Sequence, residues 1–275
     1  MKSEEITLFS GKLSKKAVLN PTDLKISFEE INGSKRSKVP KYCILSFFGD
    51  MTTYLKEKYD ASVSDILGKE RRISFFNYKD IDIVHIYPGI GAPSAGLGLE
   101  TMIALGAEHI IFIGEVGTLT ENIGRGEIIL PNKALRDEGT SFHYQKPSRY
   151  AYPNKVILNY TRRFLKENNI SFHEGGTWTT DAPFRETHEK VKQFFAEGCL
   201  CVEMEASALF SIAHFRKKQI GGLFIAEDSV AGETWNPRRT PGDTEQVEKD
   251  RKRLLEYALA SLFLLNMEIK NNSEY

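Results

Sequence analysis

Short apolar stretches that stop at glycine or proline recur along the chain and limit the folds it can adopt. Five of them, rich in Ile, Val, Leu or aromatic residues, lie at 42–49, 81–89, 109–117, 126–131 and 219–228. Runs of this length, rich in β-branched residues and stopped by Gly or Pro, are typical of buried strands. The sequence therefore predicts a sheet whose strands are mostly buried.

Helical patterns separate these predicted strands. The segment at 94–106 places Leu99, Met102 and Ile103 at helical spacing and ends at Gly106, a common helix terminator. Further helices are predicted at 154–169, 187–198 and 244–265. Strands that alternate with helices indicate an α/β fold around a mixed or mostly parallel sheet.

The chain of 275 residues shows no linker, repeat or low-complexity tract. Residues 1–40 are polar and end in a basic stretch, so they are predicted to form an N-terminal arm, followed by a single domain at 41–275. The 37 basic and 37 acidic residues give zero net charge. A neutral chain has no overall electrostatic attraction to nucleic acid or to an anionic membrane, and we expect neither as a partner.

Three cysteines, Cys43, Cys199 and Cys201, do not form the pattern of a disulfide framework or of a metal site. Cys199 and Cys201 would share one face of a strand as small buried groups. No apolar run has the length of a membrane span, and the N-terminus lacks a signal-peptide pattern. We expect a cytoplasmic protein without a metal or an organic cofactor.

Three strand ends carry residues suited to ligand binding, which in open α/β sheets occurs beyond the carboxyl ends of strands. Their sequences are YPGIGAPSAG at 87–96, IGEVGT at 113–118 and IAEDSV at 225–230. The first is either a phosphate cradle or a tight turn, and its spacing matches neither a Walker loop nor a dinucleotide fingerprint. Asp228, in the third, is either a general acid or a helix cap or salt-bridge partner.

Two carboxylates flank a methionine in CVEMEA at 201–206, just before an apolar helical run. Glu203 and Glu205 either face solvent or hold the hydroxyl groups of a ligand. Residues 202–210, VEMEASALF, resemble the signature of the hexameric purine nucleoside phosphorylase and uridine phosphorylase superfamily. Supporting segments occur in the same order, with GDMTTYLKEKY, GIGAPSAGLGLETMIALGAEHIIFIGEVGTL, GRGEIILPNKALRDEGTSFHY, TWTTDAPFRETHEKV and IAEDSV. Together they cover roughly 42–235.

The resemblance implies a three-layer α/β/α sandwich around a central mixed, partly barrel-like sheet. It implies cleavage of the N-glycosidic bond of a purine or pyrimidine nucleoside at C1′, with inorganic phosphate as co-substrate. It also implies a homo-oligomer, either a dimer or a hexamer built as a trimer of dimers.

The same resemblance assigns site residues. Met204 packs on the ribose, Glu205 binds its hydroxyls beside Glu203, and Asp228 assists protonation of the departing base. An oxocarbenium-like sugar in the transition state explains why a carboxylate belongs there. The base and sugar are expected to contact further residues, namely Val116, Gly117, Phe184, Arg185 and Trp235.

The usual phosphate ligands of the family are replaced in this sequence. The early glycine is present as Gly49, but the two arginine positions hold Thr53 and Phe112 and the hydroxyl position holds Glu115. A carboxylate without an arginine fork opposes binding of a phosphate dianion. Glu115 is therefore either the base that activates water in a hydrolytic nucleosidase or a salt-bridge partner, of Arg125 or of an arginine from a neighbouring subunit.

The sequence thus favours a nucleoside phosphorylase-like enzyme. A hydrolytic nucleosidase of the same superfamily is the first alternative, and a non-catalytic nucleoside-binding or storage protein is the second. Arg185, Arg238, Arg239 and the basic stretch at 35–41 are candidate phosphate ligands if the anion binds elsewhere.

Overall fold

The computed structural model describes residues 17–23, 38–49, 51–65, 72–239 and 243–273. Most of the predicted N-terminal arm, including residues 35–37 of the basic stretch, and Asp50 lie outside the described residues, so the arm stays a prediction. Among the described residues, no helix combines the length and apolarity that crossing a bilayer requires.

The described part of the chain contains ten strands and six helices of eight residues or more. The strands are β1 Tyr42–Ser46, β2 Ser62–Ser64, β3 Ile73–Tyr78, β4 Ile81–Ile86, β5 His109–Thr118, β6 Ile128–Asp137, β7 Tyr150–Ala151, β8 Phe172–Thr180, β9 Cys199–Glu203 and β10 Gln219–Ser229. The helices are α1 Thr52–Tyr59, α2 Ala92–Leu105, α3 Lys155–Glu167, α4 His188–Ala196, α5 Ala206–Phe215 and α6 Thr244–Ser273.

All ten strands form one mixed sheet that closes partly on itself. Along the main path the order is β10-β6-β8-β9-β5-β1-β4-β3-β2, β7 pairs with β6, and β10 also pairs with β5. The extra pairing makes a closed ring of the five strands β5, β10, β6, β8 and β9. This confirms the predicted α/β fold with a partly barrel-like mixed sheet.

The two larger of three apolar clusters among the described residues pack on the sheet. One places Phe112 against Phe210 of α5 and Phe224 of β10, with ring centroids 5.4 and 5.6 Å apart. The other holds the apolar side of α6, including Leu255 and Leu262, against β1, β5 and β10. Leu255 and Leu262 are fully buried, so this side of the last helix is used within the chain.

The predicted cysteine environment is confirmed. Cys43, Cys199 and Cys201 are free thiols, and all three are buried. Burial raises the pKa of Cys199 to about 12, so its thiol stays neutral. These cysteines act as small core residues.

Candidate active site

A cavity of about 650 Å³ opens where the ends of β5, β9 and β10 meet. It is bounded by those strand ends, by the short 3-10 turn Pro183–Arg185 with the start of α4, and by the loop after β10. Its lining residues are Gly117, Pro183, Phe184, Glu186, His188, Val202, Glu203, Met204, Asp228, Val230, Gly232, Glu233, Thr234 and Trp235. Six residues that the sequence assigned to a nucleoside site are among them: Gly117, Phe184, Glu203, Met204, Asp228 and Trp235.

A hydrogen-bond donor in the loop after β10 fixes the side chain of Asp228. The indole Nε1 of Trp235 donates to Oδ2 of Asp228 at 2.6 Å. On the other side, a Cβ atom added at Gly117 would lie 3.3 Å from Oδ1 of Asp228 and 3.3 Å from Val202. Gly117 thus leaves the room that the carboxylate occupies, which explains the need for a residue without a side chain at this strand end.

Glu186 also lines the cavity with a carboxyl group, and it was not predicted from the sequence as a site residue. Burial and the charge of Asp228 raise the pKa of Glu186 to about 7. His188 lies two residues further on and also lines the cavity. The sequence contains little indication of these residues, because Glu186 lies in the polar segment before the predicted helix at 187–198 and His188 resembles any other polar residue of its first turn.

Glu203 is bound entirely from within the protein. Its carboxylate accepts hydrogen bonds from the hydroxyls of Thr177 and Thr179 at 3.2 and 2.6 Å. It also accepts from the backbone N–H groups of Glu205 and Ala206, each at 2.6 Å. Four donors stabilise a buried negative charge, so Glu203 anchors the start of α5 and the turn before it.

Glu205 is also buried but has fewer hydrogen-bond donors. The backbone N–H of Gly91 donates to Oε1 at 2.6 Å, and the N–H of Met204 donates to Oε2 at 3.3 Å. Burial and the adjacent charge of Glu203 raise the pKa of Glu205. A carboxyl group with lone pairs to spare and an unfavourable charge is suited to accept hydrogen bonds from ligand hydroxyls.

Glu115 forms a two-point ion pair within the chain. Nε and Nη2 of Arg251, on α6, lie 2.6 and 2.9 Å from its two carboxylate oxygens. Nη2 of Arg239 is 3.5 Å from Oε2. Glu115 is therefore a salt-bridge partner within this chain. Its partner is Arg251 and not the predicted Arg125, which pairs with other carboxylates.

Arg125 belongs to the same charged cluster. It contacts Glu227 at 3.3 Å and Asp243 at 2.7 Å, and Arg239 contacts Glu227 at 2.7 Å. With Glu115 and Arg251, the cluster holds three arginines and three carboxylates, so its formal charges cancel. Glu227 and Asp228 are sequence neighbours, yet Glu227 belongs to this cluster and Asp228 to the cavity wall.

Five other predicted residues do not line the cavity. Val116 and Phe112 are buried in the first apolar cluster, and Arg185 is exposed. Thr53 is exposed on α1, while Gly49 has φ +84° with open space around its Cα. None of these five is among the residues that line the cavity, so their assigned contacts stay predictions.

Metal ligation is not supported in the described part of the chain. No group of three or more His, Cys, Asp or Glu side chains there is arranged to hold a metal ion.

Comparison with known proteins identifies a family and several similar structures. Residues 41–262 match the family model described as the phosphorylase superfamily. Guanosine phosphorylase of Halorubrum lacusprofundi is 27% identical over 189 residues, covering 68% of this chain and 77% of that protein. The structure of uridine phosphorylase from Vibrio fischeri ES114 is similar, with a TM-score of 0.69 at 25% identity over 86% of this chain and 93% of that one. AMP nucleosidase from Bacteroides thetaiotaomicron shares the fold, with a TM-score of 0.72 at 17% identity over 93% and 100% of the two chains.

Proposed function

The chain belongs to the phosphorylase superfamily, and on that premise we propose that it cleaves the N-glycosidic bond of a nucleoside and transfers the pentosyl group to inorganic phosphate. The observation that carries the proposal is the convergence of Met204, Asp228 and Trp235 on one cavity, with Glu205 behind it. Met204 and Glu205 lie in the turn after β9, Asp228 lies in β10 and Trp235 lies in the loop after β10, and the fold brings them together.

The sugar is placed at the Met204 side of the cavity. The thioether of Met204 gives an apolar surface for the ribose face. Glu205 accepts hydrogen bonds from the ribose hydroxyls, and its charge then lies near the ring as positive charge develops on it. Donation by those hydroxyls offsets the burial that disfavours the ionised form of Glu205 in the empty protein.

The base is placed against Asp228. As the C1′–N bond breaks, its electron pair moves to the base, and a proton delivered to a base nitrogen makes that base a better leaving group. Trp235 donates a hydrogen bond to Oδ2 of Asp228, which fixes the orientation of the carboxyl group and leaves Oδ1 to carry the transferred proton.

Hydrolysis is the second candidate, and the charged cluster around Glu115 favours it. Phe112 is fully buried and Glu115 already neutralises the guanidinium of Arg251. An anion arriving there would have to displace an internal carboxylate, so water is the easier acceptor of the pentosyl group. Because both oxygens of Glu115 contact Arg251, this carboxylate is not free to serve as the base for that water in the state described here.

Base release from a panel of ribonucleosides, with and without inorganic phosphate, separates the candidates. Release that requires phosphate and yields a pentose 1-phosphate supports phosphorolysis. Release without phosphate, yielding free pentose, supports hydrolysis. Binding of nucleosides without release of any base would contradict both and indicate a binding protein.

A further inference from the structure

A second cavity, of about 700 Å³, lies at the other end of β10 from the candidate active site. Its lining residues are Gln145, Tyr152, Pro153, Asn154, Lys155, Val156, Phe210, His214, Lys217, Lys218, Gln219 and Ile220. Gln219 begins β10 in this cavity, and Asp228 lies near the end of the same strand in the other one. Because a strand rises about 3.3 Å per residue, the two cavities are about 30 Å apart along β10 and form separate sites.

Basic side chains give this second cavity a positive wall. Lys155, His214, Lys217 and Lys218 line it, and none of the described residues that line it is acidic. Lys218 lies 3.4 Å from Glu108, whereas Lys155 and Lys217 have no ion-pair partner in the described part of the chain. Since the whole chain has zero net charge, this is a local concentration of positive charge, which favours an anionic ligand.

The amide side chains on the same wall have their oxygen atoms engaged within the protein. Oδ1 of Asn154 accepts from a backbone N–H of α3 at 2.9 Å, and Oε1 of Gln145 accepts from the hydroxyl of Ser211 at 3.2 Å. Oε1 of Gln219 pairs with Nδ1 of His109 at 2.8 Å. With these acceptors used, the wall offers mainly N–H donors to a ligand, and donors are what an anion requires.

Helix α3 begins at the second cavity without an acidic residue to offset its dipole. Its first residue is Lys155, and its first turn contains no Asp or Glu. The N-terminal end of a helix carries a partial positive charge that a carboxylate often balances, and a lysine there adds to the charge instead. An anion in the cavity would balance both charges.

We propose that the second cavity binds a small molecule that carries a chain of phosphate groups. Cations on several segments around one wall match an extended anion better than a single phosphate, and each makes a charge-assisted hydrogen bond. A volume of about 700 Å³ is in the range of small-molecule sites. The ring of Tyr152, which is 61% exposed, offers a flat heterocycle a surface to stack on, so a nucleoside triphosphate fits better than inorganic triphosphate. The proposal does not depend on nucleoside cleavage.

Calorimetric titration with inorganic triphosphate tests the positive wall. At about 0.15 M salt, where distant surface charges are screened, the wild type should bind it, and the double variant Lys155→Gln, Lys217→Gln should bind at least about tenfold more weakly. The matched control is Lys56→Gln, Lys166→Gln, which removes the same charge from exposed positions of α1 and α3 that do not line the cavity. This control should keep the wild-type affinity.

Titration with ATP in the absence of magnesium tests the contribution of the ring. ATP should bind more tightly than inorganic triphosphate, and Tyr152→Ala should remove that advantage while leaving the affinity for inorganic triphosphate unchanged. If Tyr152→Ala leaves the advantage of ATP intact, the nucleotide assignment is wrong. The whole proposal is overturned if the wild type binds neither compound at about 1 mM, or if the Lys155, Lys217 double variant and its control bind triphosphate equally well.

Discussion

The backbone N–H of Gly91 donates to Oε1 of Glu205 at 2.6 Å across 114 positions of sequence. This contact joins the loop after β4 to the turn before α5, and it fixes one oxygen of a buried carboxyl group. Gly91 has φ +91°, a backbone conformation that side chains disfavour, so glycine allows the N–H to point at Glu205. The loop that looked like a phosphate cradle therefore positions the residue assigned to the sugar.

We expect ionisation of Glu205 to lower the free energy of unfolding of the protein without ligand. Its pKa is raised in the folded state, so the folded protein loses stability relative to the unfolded chain as pH rises above about 4.3, the ordinary value for Glu, and through the folded pKa. Glu205→Gln removes this loss. We expect its thermal midpoint to equal or fall below that of the wild type at pH 4 and to exceed it by a few degrees at pH 8, measured by circular dichroism.

Glu167→Gln, an exposed change on α3, is the control and should show no such pH-dependent difference. A constant offset between Glu205→Gln and the wild type across pH 4–8 would contradict a raised pKa for Glu205.

Asp228 and Trp235 should act as one unit in leaving-group departure. Asp228→Asn removes the acid and should slow nucleosides with poor leaving groups more than those with good ones. Trp235→Phe keeps the ring but removes the 2.6 Å hydrogen bond, so it should show the same pattern with a smaller loss, about tenfold or less. Rates for nucleosides that differ in leaving-group pKa measure this, and equal losses across the series would point to a purely structural role.

Removing Glu115 should create an anion site. Glu115→Ser leaves the guanidinium groups of Arg251 and Arg239 without this carboxylate and adds a hydroxyl donor, so phosphate should bind more tightly than to the wild type, by about tenfold. Calorimetric titration with inorganic phosphate gives the comparison. The double variant Glu115→Ser, Arg251→Gln should lose the gain.

One result would contradict the proposal that Glu115 keeps phosphate from binding to Arg251 and Arg239. If the wild type binds phosphate tightly and Glu115→Ser changes neither affinity nor turnover, other cations hold the anion.

Apolar residues around the cavity and the Gly91 loop should be covered by a second copy of the chain. Phe184 is 99% exposed, and Ile90 and Leu97 are 63% and 45% exposed. Solvent-facing groups of this size, close to a site, are typical of subunit contacts. Sedimentation at micromolar concentration should show at least a dimer, and Leu97→Glu should weaken it; a wild-type monomer would contradict this prediction.

Local patterns predicted most of the apolar strands and most of the helices, but not α1, β3 or the polar strand β8. Its sequence FHEGGTWTT is rich in glycine and threonine, and strand propensity alone does not reveal it. In the fold, Thr177 and Thr179 are buried because their hydroxyls bind Glu203, and a Cβ added at Gly175 would meet Leu200 at 2.6 Å. Both reasons are tertiary contacts that no local window contains.

The candidate site was also predicted only in part, because some of its contacts join residues far apart in the sequence. Met204, Glu205 and Asp228 were predicted because they lie in recognisable segments at strand ends. The partner of Glu115 was not, because Arg251 follows it by 136 positions on α6 and looks like any other charge of an amphipathic helix. Glu186 was missed because its importance comes from the proximity of Asp228, 42 positions away by their numbering.

The most direct test of the account is the rate of base release by wild type and Glu205→Gln under the same saturating conditions, with Glu167→Gln as control. The account predicts release by the wild type and the control, and at least about tenfold slower release by a folded Glu205→Gln, since a charge-assisted hydrogen bond to the sugar is lost. Equal rates for Glu205→Gln and the wild type would contradict the assignment of this carboxyl group to the sugar, and with it the proposed mechanism.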